Sequence, residues 1–197
     1  MMSLVNPPLE ALAKRAVSER RAEEALLLAV APMLLGVVRA VRGATHPDVE
    51  DLLQETLMAI SRSLDQFRGE GGFRQYAARI AVRTVLQSRR RERAQRRAAV
   101  EVELSDDIPA EGSPALELSR ARQRAAFRDL LDELPSDQAE ALILRNVLGH
   151  SVDEIALAAR VSRNTIRSRL RLAKQGIRQR VEADAELRGR LGVSHEL

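Results

Sequence analysis

Apolar residues recur along this chain three and four positions apart, and no stretch joins strand alternation to a hairpin turn signal, so the sequence predicts an all-α fold. The first stripe is Leu26, Val30, Met33, Leu34, Val37, Val38 and Val41, running from about Ala22 to Arg42 and stopped by Gly43. Pro32 is expected to kink or break that helix. A second helix starts at Asp48, an N-cap residue behind Pro47, and is expected to bury Val49, Leu53, Leu57, Ile60 and Leu64 before residues 67–72 end it. A third begins at Phe73, buries Ile80, Ala81, Thr84 and Val85, and continues into Arg89–Arg97. Short connections make residues 22–97 one three-helix bundle.

Charge then reverses. Arg83–Arg97 holds seven arginines and one glutamate, whereas Glu101–Glu117 holds six acids and no base. Asp106, Asp107, Pro109, Gly112, Ser113 and Pro114 have the composition of a connector too polar to bury a face, so residues 98–114 read as a flexible acidic linker. Beyond it, residues 115–182 form a second helical set: 115–133, 136–148, 151–159 and 163–181. An N-terminal extension (1–21) and a C-terminal tail (183–197) lack a deep apolar stripe and are expected to be mobile, with Leu4, Leu9 and Leu12 free to dock.

At 197 residues the chain suits two small domains rather than a large catalytic fold. It has no cysteine, and His46, His150 and His195 are scattered, so neither thiol chemistry nor a metal site is expected. No nucleophile, base and orienting group converge, which argues against an enzyme, a small-molecule substrate or a cofactor. No run approaches the roughly 18 apolar residues of a membrane helix, and residues 1–10 lack the pattern of a secretory signal, so no membrane insertion and a cytoplasmic location are expected. Lys14 and Lys174 are the only lysines among 32 basic residues. Such arginine dominance favours contacts to phosphates and base edges.

The strongest local pattern is Ser151–Ala173. Ser151-Val152-Asp153-Glu154 forms a capping box, residues 160–162 a three-residue turn, and a longer basic helix follows, which is the layout of a helix-turn-helix. At about 100° per residue, Ile166, Leu170, Ala173 and Ile177 share one side, and Asn164, Arg167, Ser168, Arg171, Gln175 and Arg178 the other. Arg160–Val181 holds eight basic residues and no acid. The ordinary alternative is a solvated basic helix closing a bundle. Arg160 stands where such a turn favours glycine, which predicts a left-handed arginine or a distorted turn.

Within the first bundle, Asp48, Asp51 and Glu55 lie within about 60° of one another, away from the apolar stripe. Two readings stand: compensation of the helix dipole, or a face awaiting a basic partner. On the third helix Arg79, Arg83, Gln87 and Arg90 form one stripe, with Tyr76 at its border and Phe73 one turn earlier, after a glycine-rich loop. Aromatics beside arginines suit single-stranded DNA, with rings stacking on bases and guanidinium groups holding the backbone. Core packing is the ordinary role for both rings, and the preferred one for Phe73.

Four stretches, in order and spacing, resemble the extracytoplasmic-function group of bacterial sigma-70 factors. Asp48-Val49-Glu50-Asp51-Leu52-Leu53-Gln54-Glu55 is similar to that family's D-A-E-D-L-V-Q-E stretch, and Phe67-Arg68-Gly69-Glu70 with Phe73-Arg74-Gln75-Tyr76 and Arg79-Ile80-Ala81 to its F-R-G…F-R-x-W…R-I-A segment. Leu134-Pro135, Gln138, Leu142–Arg145 and Glu154-Ile155-Ala156 resemble L-P…Q…L-L-R…E-I-A, and Thr165–Leu170 resembles T-V-K-S-R-L. The resemblance covers residues 22–97 and 121–181. It implies a region 2-like bundle and a region 4-like helix-turn-helix.

It further implies a protein that binds core RNA polymerase and promoter DNA and supports DNA opening, with an anti-sigma protein as a further partner. By resemblance, Asp48, Asp51, Gln54 and Glu55 face polymerase, and Phe73, Tyr76, Arg79, Arg83, Gln87 and Arg90 meet the −10 element. Arg163, Asn164, Thr165, Arg167, Ser168, Arg169, Arg171, Leu172 and Lys174 meet the −35 element. Departures are Tyr76 for tryptophan, Val82-Arg83 for arginine-asparagine, and Leu172 where arginine is expected, which predicts an unusual −35 preference. Residues alone also admit a stand-alone helix-turn-helix regulator, or a helical adaptor that uses its helices only for protein contacts and predicts no salt-dependent DNA affinity.

Overall fold

The computed structural model describes residues 9–69, 71–98 and 114–192, and no strand occurs among them. The linker assigned to residues 98–114 lies outside this range except at its two ends. Nine α-helices are described: α1 Leu9–Ala16, α2 Arg20–Arg42, α3 Val49–Arg62, α4 Phe73–Ala98, α5 Pro114–Glu133, α6 Ser136–Asn146, α7 Val152–Ala159, α8 Arg163–Ala183 and α9 Ala185–Leu191, with a 3-10 turn at Leu64–Gln66.

Helices α2, α3 and α4 form the first bundle, and α2 passes through Pro32 without a break. By length and composition α2 would also suffice to cross a membrane, a test the run-length expectation missed; here Leu26, Val30, Leu34, Val38 and Val41 are spent on the bundle core. The fully buried stripe of α3 is Val49, Leu52, Thr56 and Ile60, with the expected Leu53 and Leu57 half-buried against the same core. A threonine fits there because its hydroxyl donates to the Leu52 carbonyl at 2.7 Å, leaving no buried polar atom unpaired. On α4 the buried set is Phe73, Ala77, Ala78, Ala81, Val82, Val85 and Leu86.

The described parts of the two end segments, residues 9–21 and 183–192, are helical and docked rather than mobile. Leu12, Ala13 and Ala16 of α1 are buried against the bundle, and the Glu10 carboxylate accepts from the Phe73 amide at 3.2 Å, satisfying an orphan donor of the first turn of α4. At the other end, Asp184 caps α9, and Leu187 packs with Ala126 and Leu130 of α5. Eight residues in α1 and seven in α9 suffice because each helix docks on a larger neighbour instead of standing alone.

The C-terminal set closes around Ile143, Leu144, Ile155, Ile166 and Ala173. The capping box at Ser151 and Glu154 is present in both directions, and Ser162 caps α8 through the Thr165 amide. Arg160 is left-handed (φ 53°, ψ 46°), so the turn keeps its ordinary shape with a non-glycine residue paying the strain. The two helical sets are joined by more than a linker. Helix α4 packs on α5, α6 and α7, and one apolar core runs from Leu12 through Val82 and Ile143 to Ile166.

Candidate polymerase and DNA interfaces

The acidic face divides. Asp51, Gln54 and Glu55 project from α3 as exposed residues, and no ion pair engages either carboxylate among the described residues. Asp48 does not join them. It holds the N-cap position without capping; its carboxylate is taken by Arg42 at 2.9 Å and by His46. Burial opposes the charge on Asp48, yet the hydrogen bonds and charges of Arg42 and His46 outweigh it and hold the carboxyl below the usual carboxylate range. Arg42, with 3% of its side chain exposed, also pairs with Glu92 on α4. Asp48 thus ties α2, α3 and α4 together, its carboxylate engaged within the chain where those of Asp51 and Glu55 are not.

At the foot of α4, Phe67, Phe73 and Tyr76 form one aromatic cluster. Phe67 meets Phe73 edge-on at 5.1 Å between centroids, and Tyr76 lies 5.3 Å from Phe67 and 5.9 Å from Phe73. Phe73 has no exposed surface and supports the cluster from within, the core role preferred for it from the sequence. Tyr76 is half-buried, with its hydroxyl donating to the Ser63 carbonyl at 2.7 Å.

The arginine stripe of α4 does not face solvent throughout. Arg79 donates to the Glu140 carboxylate at 2.6 Å and to the Ala158 carbonyl at 3.2 Å. Arg83 approaches the other oxygen of Glu140 at 3.6 Å and keeps half of its side chain exposed. Arg90 donates to the Leu134 carbonyl at 2.9 Å; Gln87 is exposed. The preceding residue, Arg89, grips Asp132 with two bonds, 2.9 and 2.7 Å, where the two side chains are 11% and 8% exposed.

Sequence reasoning missed these acceptors. Glu140 was the legible one: a lone acid inside the buried run Ala139–Leu144 needs a cation.

A cleft of about 140 Å³ opens beside the aromatic cluster, between Phe67, Gly71, Gly72 and Tyr76 on one side and Leu157, Ala158 and Arg160 on the other. Gln75 donates across it to Glu154 at 2.9 Å, and Arg160 donates to the Gln66 carbonyl. The carboxyl of Glu154 is held below its usual range by its hydrogen bonds with the Ser151 backbone and side chain, so it remains an acceptor there at neutral pH.

Helix α8 is arranged the other way. Ile166 and Ala173 are buried, while Asn164, Arg167, Ser168, Arg171, Leu172 and Lys174 are exposed and Thr165 is half-buried. Arg163 pairs with Asp153 at 2.6 Å and Arg169 with Asp137 at 2.8 Å, so these two are braced by neighbouring helices. The open face presents two arginines, a lysine, a hydroxyl, an amide and one leucine. That set can neutralise phosphates and read base edges from a major groove.

The descriptions of sigma-70 region 2 and of sigma-70 region 4 match residues 26–95 and 124–175. The RNA polymerase sigma-H factor of Pseudomonas aeruginosa is 31% identical over 168 residues, covering 81% of this chain and 86% of that protein. The ECF RNA polymerase sigma-E factor of Escherichia coli K12 is 34% identical over 143 residues, or 68% of this chain and 74% of that one. Among solved structures, the sigma factor RpoE in complex with the anti-sigma factor NepR, from Bartonella quintana, shares 25% identity with a TM-score of 0.50, covering 86% and 96% of the two chains. CnrH in complex with the cytosolic domain of CnrY has the same fold (TM-score 0.53, 21% identity, 89% and 98% covered).

Proposed function

The chain belongs to the extracytoplasmic-function group of the sigma-70 family and is an RNA polymerase sigma factor, and from that premise we propose how its residues divide the work. Asp51, Gln54 and Glu55 dock on core polymerase. Two exposed carboxylates one turn apart, with no ion pair to either among the described residues, carry this assignment: they repel each other until a basic surface covers them. Tyr76, Arg79, Arg83, Gln87 and Arg90 hold the non-template strand of the −10 element, with the adjoining cleft receiving an unstacked base. On α8, Arg167, Ser168, Arg171 and Leu172 read the −35 element, and Arg163, Asn164, Thr165, Arg169 and Lys174 position its backbone.

Leu172 stands on the open face, where it meets a thymine methyl instead of a phosphate. Bond-making belongs to the polymerase, and the chain works where polymerase and promoter lie, in the cytoplasm. The linker lets two weak sites act as one by raising effective concentration. RpoE of Bartonella quintana is solved with an anti-sigma factor, and by likeness an anti-sigma partner holds this chain as well.

Run-off transcription with purified core polymerase on a pool of promoter fragments tests the assignment. Addition of the chain is expected to start transcripts at a fixed distance from a shared pair of elements, and charge reversal at Asp51 and Glu55 to abolish them. Unchanged initiation by the reversed chain would remove the acidic face from polymerase docking.

A further inference from the structure

Helix α1 lies wholly before residues 26–95, the part matched as sigma-70 region 2, yet its packing reaches the site assigned above to the −10 strand. Leu12, Ala13 and Ala16 are buried, and α1 rests on both α2 and α4. That docking carries two charged side chains to the loop that leads into α4. The first turn of α4 has no acid of its own, and the Glu10 carboxylate supplies one, accepting from the Phe73 amide at 3.2 Å. Phe73 is the buried member of the aromatic cluster, so Glu10 fixes the backbone against which Phe67 and Tyr76 pack. One turn further along α1, Lys14 lays its stem over the loop: its Cε is 3.7 Å from the place a Cβ on Gly69 would occupy. Gly69 is left-handed (φ 75°), a conformation that a residue with a side chain would hold only under strain.

The surroundings of Lys14 differ from those of the α4 arginines. Arg79, Arg89 and Arg90 turn to protein oxygens, whereas Lys14 is exposed, and neither it nor Arg68, at the rim of the cleft, has an ion pair among the described residues. Glu10, four residues back, is the ordinary helical partner for such a lysine, but its carboxylate is engaged at Phe73. An ammonium on a long stem, left unpaired beside a glycine turn, suits a strand phosphate that passes the cleft.

We propose that α1 is part of the −10 site: Lys14 holds a phosphate of the displaced strand at the mouth of the cleft, and Glu10 positions the start of α4, where Phe73 and Tyr76 stand. The inference rests on the cleft and α4 being the strand-binding face, and it adds two residues from outside the matched region. Lys14 acts by charge and is indifferent to the base. Glu10 touches no DNA and is a positioning residue that acts through Phe73.

Full-length chain and its variants are titrated with labelled single-stranded oligo(dT), and with labelled duplex as a control for folding, over a series of salt concentrations. Lys14→Ala is expected to bind oligo(dT) several-fold more weakly at low salt and to lower the slope of log affinity against log salt by about 0.7, the share of one single-strand phosphate. Duplex affinity stays intact, and Lys14→Arg keeps both the affinity and the slope. Glu10→Gln and Glu10→Ala both remove the charge, but only glutamine retains an oxygen for the Phe73 amide. Glu10→Ala should therefore bind oligo(dT) several-fold more weakly than Glu10→Gln, at the same slope. Lys14→Ala with the affinity and slope of the unmodified chain, a loss shared equally with duplex, or Glu10→Ala matching Glu10→Gln would overturn the inference alone. Arg83→Glu, measured beside them, tests the reading beneath: if it too leaves oligo(dT) binding unchanged, α4 is not the strand-binding face and that assignment fails as well.

Discussion

Helices α4 and α8 are both long and arginine-rich, and both are assigned to DNA, yet Arg79, Arg89 and Arg90 of α4 turn to protein oxygens while α8 shows Arg167, Arg171 and Lys174 to solvent. The difference lies in what stands opposite. Across α8 the acids Asp153 and Asp137 brace Arg163 and Arg169 at its flank, leaving Arg167, Arg171 and Lys174 free. Across α4 the acids Asp132 and Glu140 sit in the apolar seam itself, where a carboxylate must be paired, and they draw the arginines inward. Charge content along a helix therefore does not tell whether it is available; the burial of the opposing acid does.

The contrast is most sharply tested by core substitutions. Phe73→Ala should cost about 3–5 kcal/mol in denaturant unfolding, because the ring is wholly buried, whereas Leu172→Ala on α8 should stay within about 0.5 kcal/mol. A small effect at Phe73 would contradict its supporting role in the core. Next comes Arg89→Ala, which strands a buried Asp132 and should destabilise by about 3 kcal/mol, against almost nothing for Arg171→Ala. Comparable losses at the two arginines would erase the distinction between the helices.

On duplex −35 DNA the order reverses. Arg167→Ala and Arg171→Ala should each lose about 1–3 kcal/mol in titrations at fixed salt, while Arg89→Ala leaves duplex affinity in place. Arg160→Gly should relieve up to about 1 kcal/mol of left-handed strain while removing a bond to Gln66, so Tm rises even as the domains part more readily. The smallest effect concerns acid. The carboxyl of Asp48 lies lower folded than unfolded, so its stabilisation is complete at neutral pH and is lost as pH falls below about 4, through the folded value. Asp48→Asn should flatten the stability profile over that window, followed by thermal melts in acid.

Much of the C-terminal half was legible because its signals are local. Ser151 and Ser162 each cap within three residues, and the polar side of α8 follows from helical spacing alone. The all-α class and the starts of α3 and α4 were legible for the same reason. What escaped depends on contacts between distant residues. Thr56 could not be ranked above Leu53 without knowing that its hydroxyl would find the Leu52 carbonyl in a buried turn. Asp48 looked like a cap until Arg42 claimed it, with Glu92 drawn in from α4. The pairing of Arg79 with Glu140 joins residues 61 positions apart, and short end helices such as α1 acquire their order from the surfaces they cover.

Run-off transcription on core polymerase from a promoter with both elements tests the central claim most directly, that the uncommitted charges of a face decide what it does. Charge reversal at Asp51 and Glu55 should abolish the transcript while the same chain still retards −35 duplex. Unchanged initiation by the reversed chain, with its fold verified, would contradict the account.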